Sequence, residues 1–157
     1  MESRQLYQEV ILDHNRKPRN YGRLDAPTHH SEGVNPLCGD HIHLDLALEG
    51  ETITRVGFEG QSCAICKASA SMMSAVIKGR NVIEADRMVA GFRALATGHA
   101  SADQMTELGR LRVFEGIKDL PSRVKCAVLP WHTLHAALHA ESETTTEGDA
   151  DPIPGSA

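Results

Sequence analysis

With 157 residues, 17.1 kDa, 41% apolar and 24% charged side chains, the chain has the size and composition of one domain with a buried core. Sixteen basic residues stand against 21 acidic ones, net −5. The acidic excess lies wholly in the stretch 141–157, where Glu141, Glu143, Glu147, Asp149 and Asp151 occur with no Lys or Arg. A balanced body with an acidic tail argues against a nucleic-acid partner, which needs clustered basic surface, and no apolar run approaches the roughly 18 residues of a membrane span. The start, Met1-Glu2-Ser3-Arg4, lacks the apolar centre of an export signal, so a cytoplasmic location is expected. Disulfides are rare there, and the four cysteines read as metal ligands or reactive thiols.

Leu6/Val10 and Tyr7/Ile11 recur at i+4 and predict a helix over 3–15, stopped by Pro18, Asn20 and Gly22. Residues 41–48 alternate polar and apolar, Glu49-Gly50-Glu51 makes a turn, and 52–58 is again β-rich, so 41–58 predicts an antiparallel hairpin. A third strand is expected near His30–Val34. Helical patterns follow at 64–78, 81–96, 103–116 and 122–139, punctuated by Gly60, Gly79, Gly98 and Pro121. The expected fold class is α+β: a small antiparallel three-stranded sheet packed with helices. One domain over 1–140 and an acidic disordered tail over 141–157 complete the expected organisation.

Cys38 stands in the turn Asn35-Pro36-Leu37-Cys38-Gly39-Asp40, where Gly39 opens backbone conformations closed to other residues and lets a thiol and a carboxylate face one point. Cys63 falls where a strand hands over to a helix, a position that favours thiolate. Cys126 lies near the start of the last helix. Three thiols and the Asp40 carboxylate at such junctions can converge, and four mixed S/O donors suit tetrahedral Zn2+. Each cysteine taken singly can equally be a small buried apolar side chain.

Three motifs in order give a more specific reading. Leu6-Tyr7…Ile11-Leu12-Asp13-His14…Pro18-Arg19-Asn20…Gly22, then Asn35-Pro36-x-Cys38-Gly39-Asp40, then Phe58-x-Gly60-x-x-Cys63-Ala64-Ile65…Ala68-Ser69-Ala70-Ser71-Met72-Met73, with Cys126 completing the set, resemble the IscU/NifU-N-like family over roughly 5–138. Lys125, where the family's scaffolds carry a His, and a long Cys63-to-Cys126 link with an insertion around 81–110 resemble its zinc-dependent sulfurtransferase branch, the SufU type. That resemblance implies a SufE/NifU-like fold and Zn2+ held by Cys38, Asp40, Cys63 and Cys126. It also implies a persulfide taken up on Cys38 from a pyridoxal-phosphate cysteine desulfurase of the SufS type, and a downstream iron–sulfur scaffold as recipient. The alternative is an iron–sulfur cluster assembly scaffold, since cysteines also ligate clusters. A purely structural zinc domain comes third.

Three thiolates and a carboxylate around Zn2+ leave a formal −2, and Arg123 and Lys125 are placed to offset it from outside the ligand set. The turn carrying Cys38 can move, while helices anchor Cys63 and Cys126. Cys66 departs from the second motif, which usually has a small hydroxyl residue there. It could ligate, pair with Cys63 or pack, and packing is the favoured reading. His41 and His43 share one strand face beside Asp40 and could reach the metal, but solvated side chains are the favoured reading. His132, His135 and His139 read as one surface stripe, with Trp131, Leu134 and Leu138 in the core.

Overall fold

The structure, a computed structural model, describes residues 3–141 and 143–147. Helix α1 (Ser3–Arg16) precedes strands β1 (His29–Asn35), β2 (Asp40–Glu49) and β3 (Thr52–Gln61). Helices α2 (Ala64–Ile77), α3 (Val82–Ala96), α4 (Ala102–Leu108) and α5 (Pro121–Leu138) follow, then a short strand β4 (Glu143–Thr145). The α+β class holds, but the sheet has four strands in the order β3-β2-β1-β4 rather than three, and it is mixed. β1, β2 and β3 pair antiparallel as expected, while β4 runs parallel to β1, with Glu32 opposite Glu143 and Val34 opposite Thr145. Part of the stretch expected as an unstructured tail therefore sits on the sheet: the free edge of β1 offers unpaired amides and carbonyls, and the Thr-rich run Thr144-Thr145-Thr146 suits a strand. Residue 142 and the rest of that expected tail, 148–157, lie outside the described residues.

Alternation decides which side of the sheet meets the helices. Ile42, Leu44 and Leu46 of β2 and Val56 and Phe58 of β3 are buried. α5 packs across β1 and β2, and α2, α3 and α5 complete the core around Trp131, Phe92 and Met73. The Trp131 indole stacks on Phe92 at 4.7 Å between centroids and donates to Ser69 Oγ at 3.2 Å. Full burial of these side chains removes apolar surface from water at about 25 cal/mol per Å².

Two helices open on capping boxes, Asn81 with Glu84 and Ser101 with Gln104, which satisfy the first free amides. The helix expected over 103–116 is instead two pieces: Gly109, a weak helix former, ends α4 while donating to Met105, and Gly109–Ile117 continues as a tighter 3-10 turn series. α5 runs through Pro130, which has no amide to give, so the Cys126 carbonyl lacks its α-helical partner. Among the described residues no helix is long and apolar enough to cross a membrane.

Candidate metal centre

Three of the four predicted ligands come together at one end of the sheet. The ligand atoms of Cys38, Asp40 and Cys126 all lie within 4.8 Å of one another, and the Cys38 and Cys126 sulfurs are 3.4 Å apart, unbonded. Cys63 joins from the side: its sulfur is 3.9 Å from Asp40 Oδ2, and its backbone amide donates to Asp40 Oδ1 at 2.7 Å. Asp40 thus ties the first hairpin strand to the start of α2 while keeping one oxygen toward the thiols.

Local chemistry explains each placement. Asp40 opens β2 on its core-facing side, directly opposite Asn35, and is buried. Cys38 precedes it on an exposed turn that closes with the Cys38 amide donating to the Asn35 carbonyl at 3.2 Å and passes through Gly39 at φ +74°. Gly60 lets β3 reach Cys63: a Cβ at Gly60 would sit 2.1 Å from the His41 carbonyl oxygen. Cys63 caps α2, its sulfur accepting the Cys66 amide at 3.4 Å, so the unpaired amides of the helix start face a thiol. Cys126 is brought in by the second turn of α5 and is buried.

The donor set fits a divalent cation. Burial pushes the Cys126 thiol well up, and the Cys38 and Cys63 thiols beside it push further in the same direction. Thiols packed this closely repel one another on ionising, and a bound cation removes that penalty. Three soft sulfurs and one carboxylate oxygen match the tetrahedral preference of Zn2+.

Asn35 is a participant that sequence reasoning passed over, although it lies in the quoted motif. Its amide nitrogen is 3.3 Å from Asp40 Oδ2 and 3.6 Å from Cys126 Sγ, and its own oxygen accepts from Thr146 Oγ1 at 3.1 Å. Tyr7 is a second: burial raises its phenol, the Arg123 charge counters that rise, and Cys63 and Cys126 add to it. Its helical spacing in the sequence signals only a buried face.

Other predicted residues are placed as follows. Lys125, expected to offset charge at the cluster, donates to Glu147 beyond β4. Arg123 is exposed at the start of α5. Cys66 is fully buried, and burial holds its thiol far above the ordinary range, as packing requires. His41 and His43 alternate with buried Ile42 and Leu44, so they point to the face of β2 opposite Asp40. They face Glu32 there, at 3.2 Å each. Of the expected histidine stripe, His132 departs: burial first, then Arg93 and His135, lower its pKa to about 4.

The sequence model of the family described as NifU-like N terminal domain matches residues 6–127. A zinc-dependent sulfurtransferase, SufU, of Bacillus subtilis is 38% identical over 136 residues, 87% of this chain and 91% of that protein. An iron–sulfur cluster assembly scaffold protein, IscU, of Thermotoga maritima is 36% identical over 138 residues, 88% of this chain and 96% of its own. Among solved structures, a protein of Fervidobacterium islandicum AW-1, described as a candidate iron–sulfur cluster assembly scaffold for the SUF system, superposes with a TM-score of 0.80 at 34% identity. It covers 87% of this chain and 99% of that one.

Proposed function

Since the chain belongs to the NifU-like N-terminal domain family, we propose that it works in iron–sulfur cluster assembly as a zinc-dependent sulfur acceptor. The observation that carries this reading is the convergence of Cys38, Asp40 and Cys126 within 4.8 Å, with Cys63 against Asp40. Cys38, Asp40, Cys63 and Cys126 would hold Zn2+, which keeps coordinated thiols deprotonated. Arg123 would add positive charge outside that set, and Lys125 would keep the Glu147 end of the chain beside it.

Cys38 is the acceptor in this proposal, because it is the exposed sulfur of the set and stands on a turn. Its thiolate attacks the outer sulfur of a persulfide carried by a cysteine desulfurase. A new S–S bond forms on Cys38, the donor's S–S bond breaks, and the desulfurase cysteine leaves as thiolate, with no net oxidation. Buried Cys126 and helix-capping Cys63 hold the pocket in shape while the turn presents Cys38. The acquired sulfur then passes to an iron–sulfur scaffold, in the cytoplasm.

The test is alanine release by a purified desulfurase of the SufS type, with and without this protein, alongside zinc content. The expected result is strong stimulation by protein carrying one zinc per chain; zinc-loaded protein that leaves turnover unchanged would overturn the proposal. The second reading, a cluster scaffold, is favoured by the names of relatives 34% and 36% identical. It predicts brown protein with stoichiometric iron after anaerobic purification. Against it stand Lys125 in place of a His and the helical segment α3–α4, the insertion around 81–110, between Cys63 and Cys126.

A further inference from the structure

On the side of α5 that meets α3, a second group of donors stands apart from the cysteines. His135 and His139 are one turn apart on α5, with ring centroids 4.4 Å apart. Asp86 reaches them from α3: its two carboxylate oxygens lie 3.1 and 3.0 Å from His139 Nε2, and one lies 3.5 Å from His135 Nδ1. One ligand atom from each of the three residues falls within 4.8 Å of the others. We propose that Asp86, His135 and His139 form a second metal site, taking a borderline divalent cation of the zinc or nickel class through two imidazole nitrogens and one carboxylate oxygen.

Four observations carry the assignment. First, His135 Nδ1 is buried and makes no hydrogen bond, its 3.5 Å approach to Asp86 notwithstanding. An orphaned buried ring nitrogen is costly, and a metal bond would satisfy it. A simple His139–Asp86 pair would account for the 3.0 Å contact and leave that nitrogen unexplained. Second, imidazoles at i and i+4 on one helix face present two nitrogens to a single point, the spacing used by helix-borne zinc sites. Third, the group sits at the C-terminal end of α5, with His139 the capping residue, where the helix dipole favours a cation. Fourth, Asp86 and His135 stand in two packed helices and His139 caps the second of them, so little ordering is required on binding. His139 is exposed while His135 and Asp86 are half-buried, which leaves open positions on the metal for water or an outside ligand.

The cluster His30, Glu32 and His43 on the outer face of the sheet is the natural comparator, since its ligand atoms also lie within 4.8 Å. His43 Nδ1 there is likewise buried without a hydrogen bond, but the group is less suited: His30 Nδ1 is bonded to Asp45 at 2.7 Å, and the Arg23 guanidinium lies 3.4 Å from that same nitrogen, placing a cation where another would bind.

The experiment is calorimetric titration of the full chain with Ni2+ after one equivalent of Zn2+ has been added for the cysteine cluster, in wild type, His139→Gln, Asp86→Asn and His43→Gln. Metal-free melting of each variant checks the fold; the exposed His139 makes its variant the safe arm. The expected result is one nickel equivalent in wild type and in His43→Gln, weakened about tenfold or more in His139→Gln and Asp86→Asn. A nickel-induced rise in melting temperature should be lost in the same two variants. Unchanged nickel binding in His139→Gln, loss in His43→Gln instead, or no nickel binding by wild type at millimolar metal would overturn it. Failure of the cysteine cluster to hold zinc would show as lost zinc uptake in His139→Gln and Asp86→Asn, where only that cluster remains, so the two sites fail separately.

Discussion

Cys38 and Cys126 have sulfurs 3.4 Å apart, yet the chain holds them in opposite ways. Cys126 is 2% exposed, fixed in a helix whose next turns bury Leu129, Trp131 and Leu134. Cys38 stands exposed between Pro36 and Gly39, in a turn closed by a single backbone hydrogen bond to Asn35. Donors in a core cannot leave without breaking packing, whereas a turn residue moves at the cost of one weak contact. A centre that must retain its shape and also expose one sulfur needs both kinds of support side by side.

The largest effect expected from that difference is functional. Cys38→Ala should abolish sulfur uptake from a desulfurase, measured by radiolabel transfer, while the melting temperature stays within a few degrees of wild type, since surface changes are worth about 0.5 kcal/mol. Cys126→Ala should lose metal and stability together, by about 1–3 kcal/mol in chemical denaturation, because it empties a buried position. Equal destabilisation by the two substitutions would erase the distinction.

Next comes the backbone that delivers Cys63. Gly60→Ala puts a methyl 2.1 Å from a backbone oxygen at φ +140°, and overpacking of this kind costs about 1–3 kcal/mol. Denaturant unfolding should show that loss, together with weaker zinc retention against a chelator. Asp45→Ala sharpens the comparison as a change in stability without function. Burial alone would raise the Asp45 carboxyl, but Arg23, the Leu24 amide and His30 outweigh it and hold it below the usual range. Its contribution is therefore present above the unfolded carboxylate value and lost as pH falls through the lower folded one. The substitution should cost about 1–2 kcal/mol at neutral pH, Arg23 being partly exposed, and progressively less below about pH 4. Sulfur uptake should be unaltered. Asn35→Ala, which removes the amide aimed at Asp40 and Cys126, should cost about 1 kcal/mol and weaken zinc roughly tenfold in competition titration.

What the sequence disclosed follows from how far each signal reaches. Alternation over 41–48 and the capping residues Asn81 and Ser101 are local, so the hairpin and the starts of α3 and α4 were legible. β4 was not: three residues without an apolar face become a strand only by pairing with the edge of β1, a partner more than 100 positions away. The convergence of Cys38, Asp40 and Cys126 was legible through motifs, but Asn35 acts by cross-strand pairing with Asp40, which no spacing announces. His132 looked like surface from its period of three and four. It is half-buried, and the α3–α5 packing behind that is not visible in the spacing. Lys125 was read against the thiols from its place beside Cys126, while its ion pair with Glu147 depends on where the chain runs after α5, which the sequence does not announce.

The smallest expected effect tests that ion pair. Lys125 and Glu147 are each about one-third exposed, at 36% and 33%, and an ion pair so placed contributes about 0.2–1 kcal/mol. Lys125→Gln should therefore lower stability by that amount, as should Glu147→Gln, and the double substitution should cost no more than either alone, since both remove one contact. Raising the salt concentration should shrink the difference, because exposed charges are screened. Zinc retention should hold in all three variants if Lys125 is spent on the strand that follows α5. A drop in zinc affinity for Lys125→Gln that Glu147→Gln does not share would return the lysine to the thiol cluster, where its charge was first expected to act.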